Sequence, residues 1–168
     1  MKPMKTILHP TDFSPESSYA LELACALARG QGARVIVLHA VPSPAPVVGA
    51  DIADLARAET AQRELKSYEE EMLAKLRGIR SPDPKVRIEH LLKEGEVAAT
   101  ILQAADDLSC DLIVMGTHGR SRIYQFMMGS VAAAVSRQAH CPVATVKLPP
   151  ACLPSQEQAT RDEACAMV

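Results

Sequence analysis

Ala33-Arg34-Val35-Ile36-Val37-Leu38-His39-Ala40 is a continuous apolar run rich in β-branched residues. A strand with one wet face would alternate polar and apolar side chains. This stretch does not, so it reads as a central parallel strand buried on both faces. Comparable short runs lie on either side of it: Lys5 to His9, stopped by Pro10; Asp111 to Met115; and Val143 to Leu148. Val86, Ile88, His90 and Leu92 alternate with Arg87 and Glu89, as a strand near a sheet edge does.

Helical patterns fill the gaps. Ser14 and Pro15 mark a helix start, with Ser as N-cap and Pro in the first turn. Tyr19, Leu23 and Leu27, with Ala20, Ala24 and Ala28, form its apolar stripe, and Gly30 and Gly32 end it. A long helix is expected from about Asp51 to Arg77. Its buried stripe is Ala61, Leu65, Tyr68, Met72 and Leu76, and Glu71 and Lys75 pair on the wet side. Val97, Ile101, Ala104, Ala105 and Leu108 mark a third helix, and Ser130 to Ala139 a fourth. Strands alternating with helices imply right-handed βαβ units, hence an α/β fold with a parallel sheet covered on both faces.

The 168 residues suit one domain. With aromatics at 3%, the core must be built from Ala, Val, Ile, Leu and Met. The formal charge of -2 and the lack of a basic block argue against nucleic acid as a partner. No apolar run approaches the roughly 20 residues that span a bilayer, and Met1-Lys2-Pro3-Met4-Lys5 lacks the apolar region of a signal peptide. The reading is cytoplasmic, with no membrane partner. Five cysteines, an odd number without C-x-x-C spacing, support neither a disulfide framework nor a zinc knuckle. Cys25, Cys110 and Cys141 read as small buried fillers. Residues 1–148 form the domain, and 149–168, carrying Cys152 and Cys165, read as a flexible tail.

The chemically informative segment runs from Gly116 to Ser130. Gly116 and Gly119 are two residues apart, and Gly129 stands directly before Ser130 and a helix. Gly116 lets the backbone approach a ligand without a Cβ. Gly119 permits a positive φ, so successive amides turn toward one anion. Gly129-Ser130 opens a helix whose free amides and positive dipole end favour phosphate. Each glycine alone is explained by a turn; the three together point to an anion site. Asp12 follows the first strand, either as a turn residue or as an acceptor for a ribose or base amine. Val41 follows the second strand and offers backbone polar groups and an apolar contact to a flat ring. His118, Arg120 and Arg122 lie in the glycine loop, where phosphate or water explains them equally. His9 and His39 read as packed, hydrogen-bonded side chains. H-E-x-x-H, G-x-S-x-G, the P-loop and the G-x-G-x-x-G fingerprint are all missing from the sequence.

These residues resemble the universal stress protein family. Gly116, Gly119, Gly129 and Ser130 match its G-x-x-G, nine residues, G-[ST] motif. Ile7-Leu8-His9-Pro10-Thr11-Asp12-Phe13-Ser14, Asp111-Leu-Ile-Val-Met-Gly-Thr-His-Gly-Arg120 and His140-Cys141-Pro142-Val143 resemble its first strand, fourth strand and final turn. The resemblance implies a Rossmann-like, five-stranded parallel sheet in the order 3-2-1-4-5, related to the adenine nucleotide alpha hydrolases. It implies ATP, with or without Mg²⁺, between the ends of strands one and four. Carried over by position, Asp12 and Val41 lie at the adenosine, while Gly116, Gly119, Gly129, Ser130 and Val131 line the ribose and phosphates. Pro10, Thr11, Met115, His118 and Arg120 complete the candidate set. The resemblance also implies a homodimer through Val143 to Leu148, an edge strand able to pair with its own copy.

The first functional reading is an ATP-binding stress-response regulator without dedicated catalytic residues. A slow ATPase or autophosphorylating enzyme, and a nucleotide-free dimeric scaffold, stand as alternatives.

Overall fold

The computed structural model describes residues 3–43, 52–117 and 128–148, with the backbone alone for 52–59. The described elements alternate along the chain: β1 (Thr6–Pro10), α1 (Pro15–Gln31), β2 (Arg34–Val41), α2 (Ile52–Gly78), β3 (Ile88–Glu94), α3 (Val97–Asp107), β4 (Leu112–Gly116), α4 (Ser130–Gln138) and β5 (Val143–Val146). The strands form one parallel sheet in the order β3-β2-β1-β4-β5, as the resemblance implies. β1 is the central strand, β2 is an interior strand buried along most of its length, and β3 and β5 are the edges.

The two faces carry separate cores. Ile7, Val35, Val37, Leu112 and Val114 pack with α1 residues Ala20, Ala24 and Ala28 and with Leu76 of α2. Leu8, Ile36, Leu38, Ile113 and Met115 pack with Ile101 and Ala104 of α3 and Val135 of α4. Alternation along each strand sends successive side chains to opposite cores.

Two helical stripes differ from expectation. On α1 the buried face is Ser17, Ala20, Leu21, Ala24, Cys25 and Ala28, while Leu23 is 37% exposed. The small residues, rather than the large ones, face the sheet, with Tyr19 and Leu27 packed at the margin of the core. On α2 only Met72 and Leu76 of the expected stripe are buried; Leu65 is half-buried, and Ala61 and Tyr68 are exposed. The reason is length: 27 residues of helix rise about 40 Å, whereas the 8 residues of β2 extend only about 27 Å. The Glu71–Lys75 pair forms as expected, at 2.7 Å. β5 ends at Val146, two residues short of the expected strand, and Gly30 lies inside α1, which Gly32 terminates in the left-handed region at φ 65°.

Candidate functional site

β1 and β2 stay in register from Thr6↔Arg34 to Pro10↔Leu38. β1 and β4 pair only at Ile7↔Leu112 and Leu8↔Ile113. The sheet therefore opens on the β4 side of β1, at its carboxyl end. The helices that follow these two strands pack on opposite faces, which makes this the switch point of the winding, where open α/β sheets place their ligands.

The turn after β1 forms one wall. Thr11 donates its amide to Leu38 at 2.8 Å, and its carbonyl accepts from His39 Nδ1 at 2.7 Å. Asp12 Oδ1 accepts from the Ser14 amide at 3.0 Å, so Asp12 fills its turn role. Phe13 sits at φ 64°, rare for a bulky residue, with its ring 4.5 Å from that of His39. Ser14 then caps α1, accepting from the Ser17 amide at 3.2 Å. Behind the wall, Ser17 Oγ donates to Thr11 Oγ1 at 2.7 Å and lies 3.4 Å from His9 Nε2. His9 Nδ1 donates to the Val114 carbonyl at 2.9 Å. Burial lowers the His9 pKa to about 4, against the smaller opposing effects of that bond and of Asp12. The imidazole is neutral, as a packed histidine should be.

β4 and α4 form the other wall. Met115 is buried and Gly116 ends the strand opposite Val146. Thr117 donates to Val146 at 2.9 Å, and Gly129 donates to Thr117 at 2.8 Å, so the two ends of the glycine loop are joined. Gly129 has φ -59° and ψ 152°, which any residue can adopt, and it brings no side chain to cap α4. By contrast, Ser14 caps α1 and Glu96 caps α3. The Glu96 carboxylate accepts from Ala99 and Ala98, which hold its pKa below the ordinary value. Ser130 and Val131 occupy the first turn of α4. His118, Gly119, Arg120 and Arg122 lie outside the described residues.

Val41 closes β2 at 1% exposure, and its carbonyl accepts the Gly95 amide at 2.9 Å. Gly95 is the residue this geometry requires: its φ is 141°, and a Cβ there would stand 2.7 Å from Thr100 Oγ1. Neither Gly95 nor the left-handed Phe13 stood out in the sequence as part of the site. For Phe13 no local signal exists.

Cys25 and Cys110 are buried and Cys141 half-buried; burial raises all three thiols, Cys110 to about 12. A depression of about 540 Å³ beside Cys25, Arg29 and Asp83 is lined by none of the candidate site residues. Among the described residues no cluster of three or more His, Cys, Asp or Glu is placed to hold a metal ion. No described helix is long and apolar enough to cross a membrane.

The sequence model of the universal stress protein family matches residues 3–147. The chain belongs to the universal stress protein family. It is similar to universal stress protein MJ0531 of Methanocaldococcus jannaschii, 34% identical over 145 residues that cover 86% of this chain and 83% of that one. Among solved structures, MJ0577 of the same organism superposes with a TM-score of 0.72 at 28% identity, over 88% of this chain and 98% of the other. Two further universal stress proteins share the fold at 24% identity, one solved with cAMP (TM-score 0.57) and one from Archaeoglobus fulgidus solved with dAMP (TM-score 0.53). Each covers 88% of this chain over its own full length. In this universal stress protein, the described part of the glycine motif thus begins at the end of β4 and resumes at the head of α4, on one side of the open seam.

Proposed function

We propose that this universal stress protein binds ATP in the crevice between β1 and β4 and acts in the cytoplasm as a homodimeric stress-response regulator. The observation that carries the reading is Gly129. Its backbone suits any residue, so glycine is not needed there for conformation. What glycine supplies is an absent Cβ and an absent cap, which leaves the first-turn amides of α4 and their positive dipole end to an anion. The cAMP and dAMP complexes of relatives with this fold support an adenine nucleotide as the source of that anion.

In this reading Pro10, Thr11, Asp12, Val41 and Met115 surround the adenosine. Gly116, His118, Gly119, Arg120, Gly129, Ser130 and Val131 surround the phosphates. β5 is a sheet edge and pairs with its own copy. Bound nucleotide stabilises the folded state by mass action, so occupancy alone can serve as the signal. Calorimetric titration with ATP, AMP and GTP tests the assignment. Binding of ATP, with GTP weaker, is expected; no heat and no thermal shift at millimolar ATP would refute it.

A further inference from the structure

The β1–β4 seam lacks one main-chain donor at the root of the crevice. Ile113 donates to Pro142, so on β4 the odd residues face β5 and the even ones, Leu112 and Val114, face β1. Thr11 donates to Leu38, so on β1 the odd residues face β2 and the even ones face β4. In a parallel ladder with Leu8 opposite Ile113, the amide aimed at the Val114 carbonyl is that of residue 10. Residue 10 is proline and has no N–H. Val114 is fully buried, so its carbonyl would go unsatisfied at a cost. His9 Nδ1 reaches that same oxygen at 2.9 Å.

We propose that His9 is a positioning residue of the crevice: its imidazole replaces the donor that Pro10 lacks and fixes the β1 wall against β4. The rest of its environment fits this role. With Nδ1 committed to a carbonyl, Nε2 is the acceptor nitrogen. It faces the Ser17 hydroxyl at 3.4 Å, which in turn meets Thr11 Oγ1 at 2.7 Å, and Thr11 Oγ1 accepts the Phe13 amide at 3.1 Å. The hydrogen bonds of the turn that presents Asp12 thus reach Ser17, whose hydroxyl lies against the imidazole that holds the backbone of β4. Proline at this place ends the ladder, so that the sheet can part for a ligand. The histidine beside it keeps the parted strands at a set separation.

The inference rests on the nucleotide reading for its function but not for its chemistry, and one experiment separates the two. A double-mutant cycle of His9→Leu and Pro10→Ala is followed by urea denaturation. Pro10→Ala restores an amide opposite Val114, so it should recover stability in the His9→Leu background and not in the parent. An additive cycle would overturn the proposal. ATP affinity is read on the His9 variants of the same set. His9→Leu should weaken it about tenfold, and His9→Asn, whose amide nitrogen sits where Nδ1 does, should restore most of it. Equal affinity for His9→Leu and the parent would overturn the positioning role. A non-additive cycle in a parent that binds no ATP would instead overturn the nucleotide reading and leave the repaired ladder standing.

Discussion

Gly129 donates its amide to the Thr117 carbonyl at 2.8 Å, and Thr117 donates its own to Val146 at 2.9 Å. The base of the glycine loop is therefore tied both to itself and to the edge strand β5. Ala132 and Val131 pack the head of α4 onto the core, and Gly129 brings no side chain to cap it.

Gly129→Asp should set stability against binding. Aspartate improves only slightly on glycine as an N-cap but complements the helix dipole, so the ligand-free protein should gain about 0.5–1 kcal/mol. The same carboxylate occupies and repels the phosphate position, so ATP affinity should fall at least about tenfold. Thermal melts and calorimetry read the two effects; parent-like ATP affinity in the variant would move the phosphates away from α4.

Thr145→Pro should separate dimerisation from folding. Pro142 and Val146 accept from Ile113 and Thr117, so the even residues of β5 face β4 and Thr145 faces outward. Proline on an edge strand with its missing N–H toward solvent is tolerated by the fold. If the parent forms the proposed dimer through β5, sedimentation should show a folded monomer in its place; a dimer that persists in the variant would place the interface elsewhere.

His9 makes stability fall with acid. Its pKa is lowered from 6.5 to about 4 in the folded chain, chiefly by burial. Between those values the unfolded chain binds a proton that the folded chain refuses. The contribution is full above about pH 6.5 and is lost as pH falls toward about 4. His9 faces the Val114 carbonyl, the Ser17 hydroxyl and the Asp12 carboxylate, and only the last carries charge. Urea midpoints across this window should slope for the parent and flatten for His9→Asn, which does not titrate.

Gly95→Ala should cost about 1–3 kcal/mol, because the residue is held at φ 141° with Thr100 Oγ1 2.7 Å from the added Cβ. Its amide also holds the Val41 carbonyl, so ATP affinity should fall alongside the melting temperature. Unchanged melting would show that the β3–α3 turn relaxes freely.

Much of this molecule was legible along the chain. The apolar run of β2, the Ser14-Pro15 helix start and the Glu71–Lys75 pair are set by neighbours within a few residues, so their physics is printed locally. The placement of Gly116 at the end of β4 and of Gly129 at the head of α4 is legible for the same reason: each needs only a strand end or a helix start. Which face of α1 meets the sheet, and where α2 leaves it, were not legible. Large apolar residues mark a stripe, but close packing of helix on sheet favours Ala20, Ala24 and Ala28, and the reach of α2 depends on strand length elsewhere. The role of His9 belongs to the same class. A histidine before a proline is unremarkable in the chain; it becomes a substitute amide once β4 lies alongside and brings the Val114 carbonyl to it, because a hydrogen bond between residues so far apart in sequence exists only after the sheet has formed.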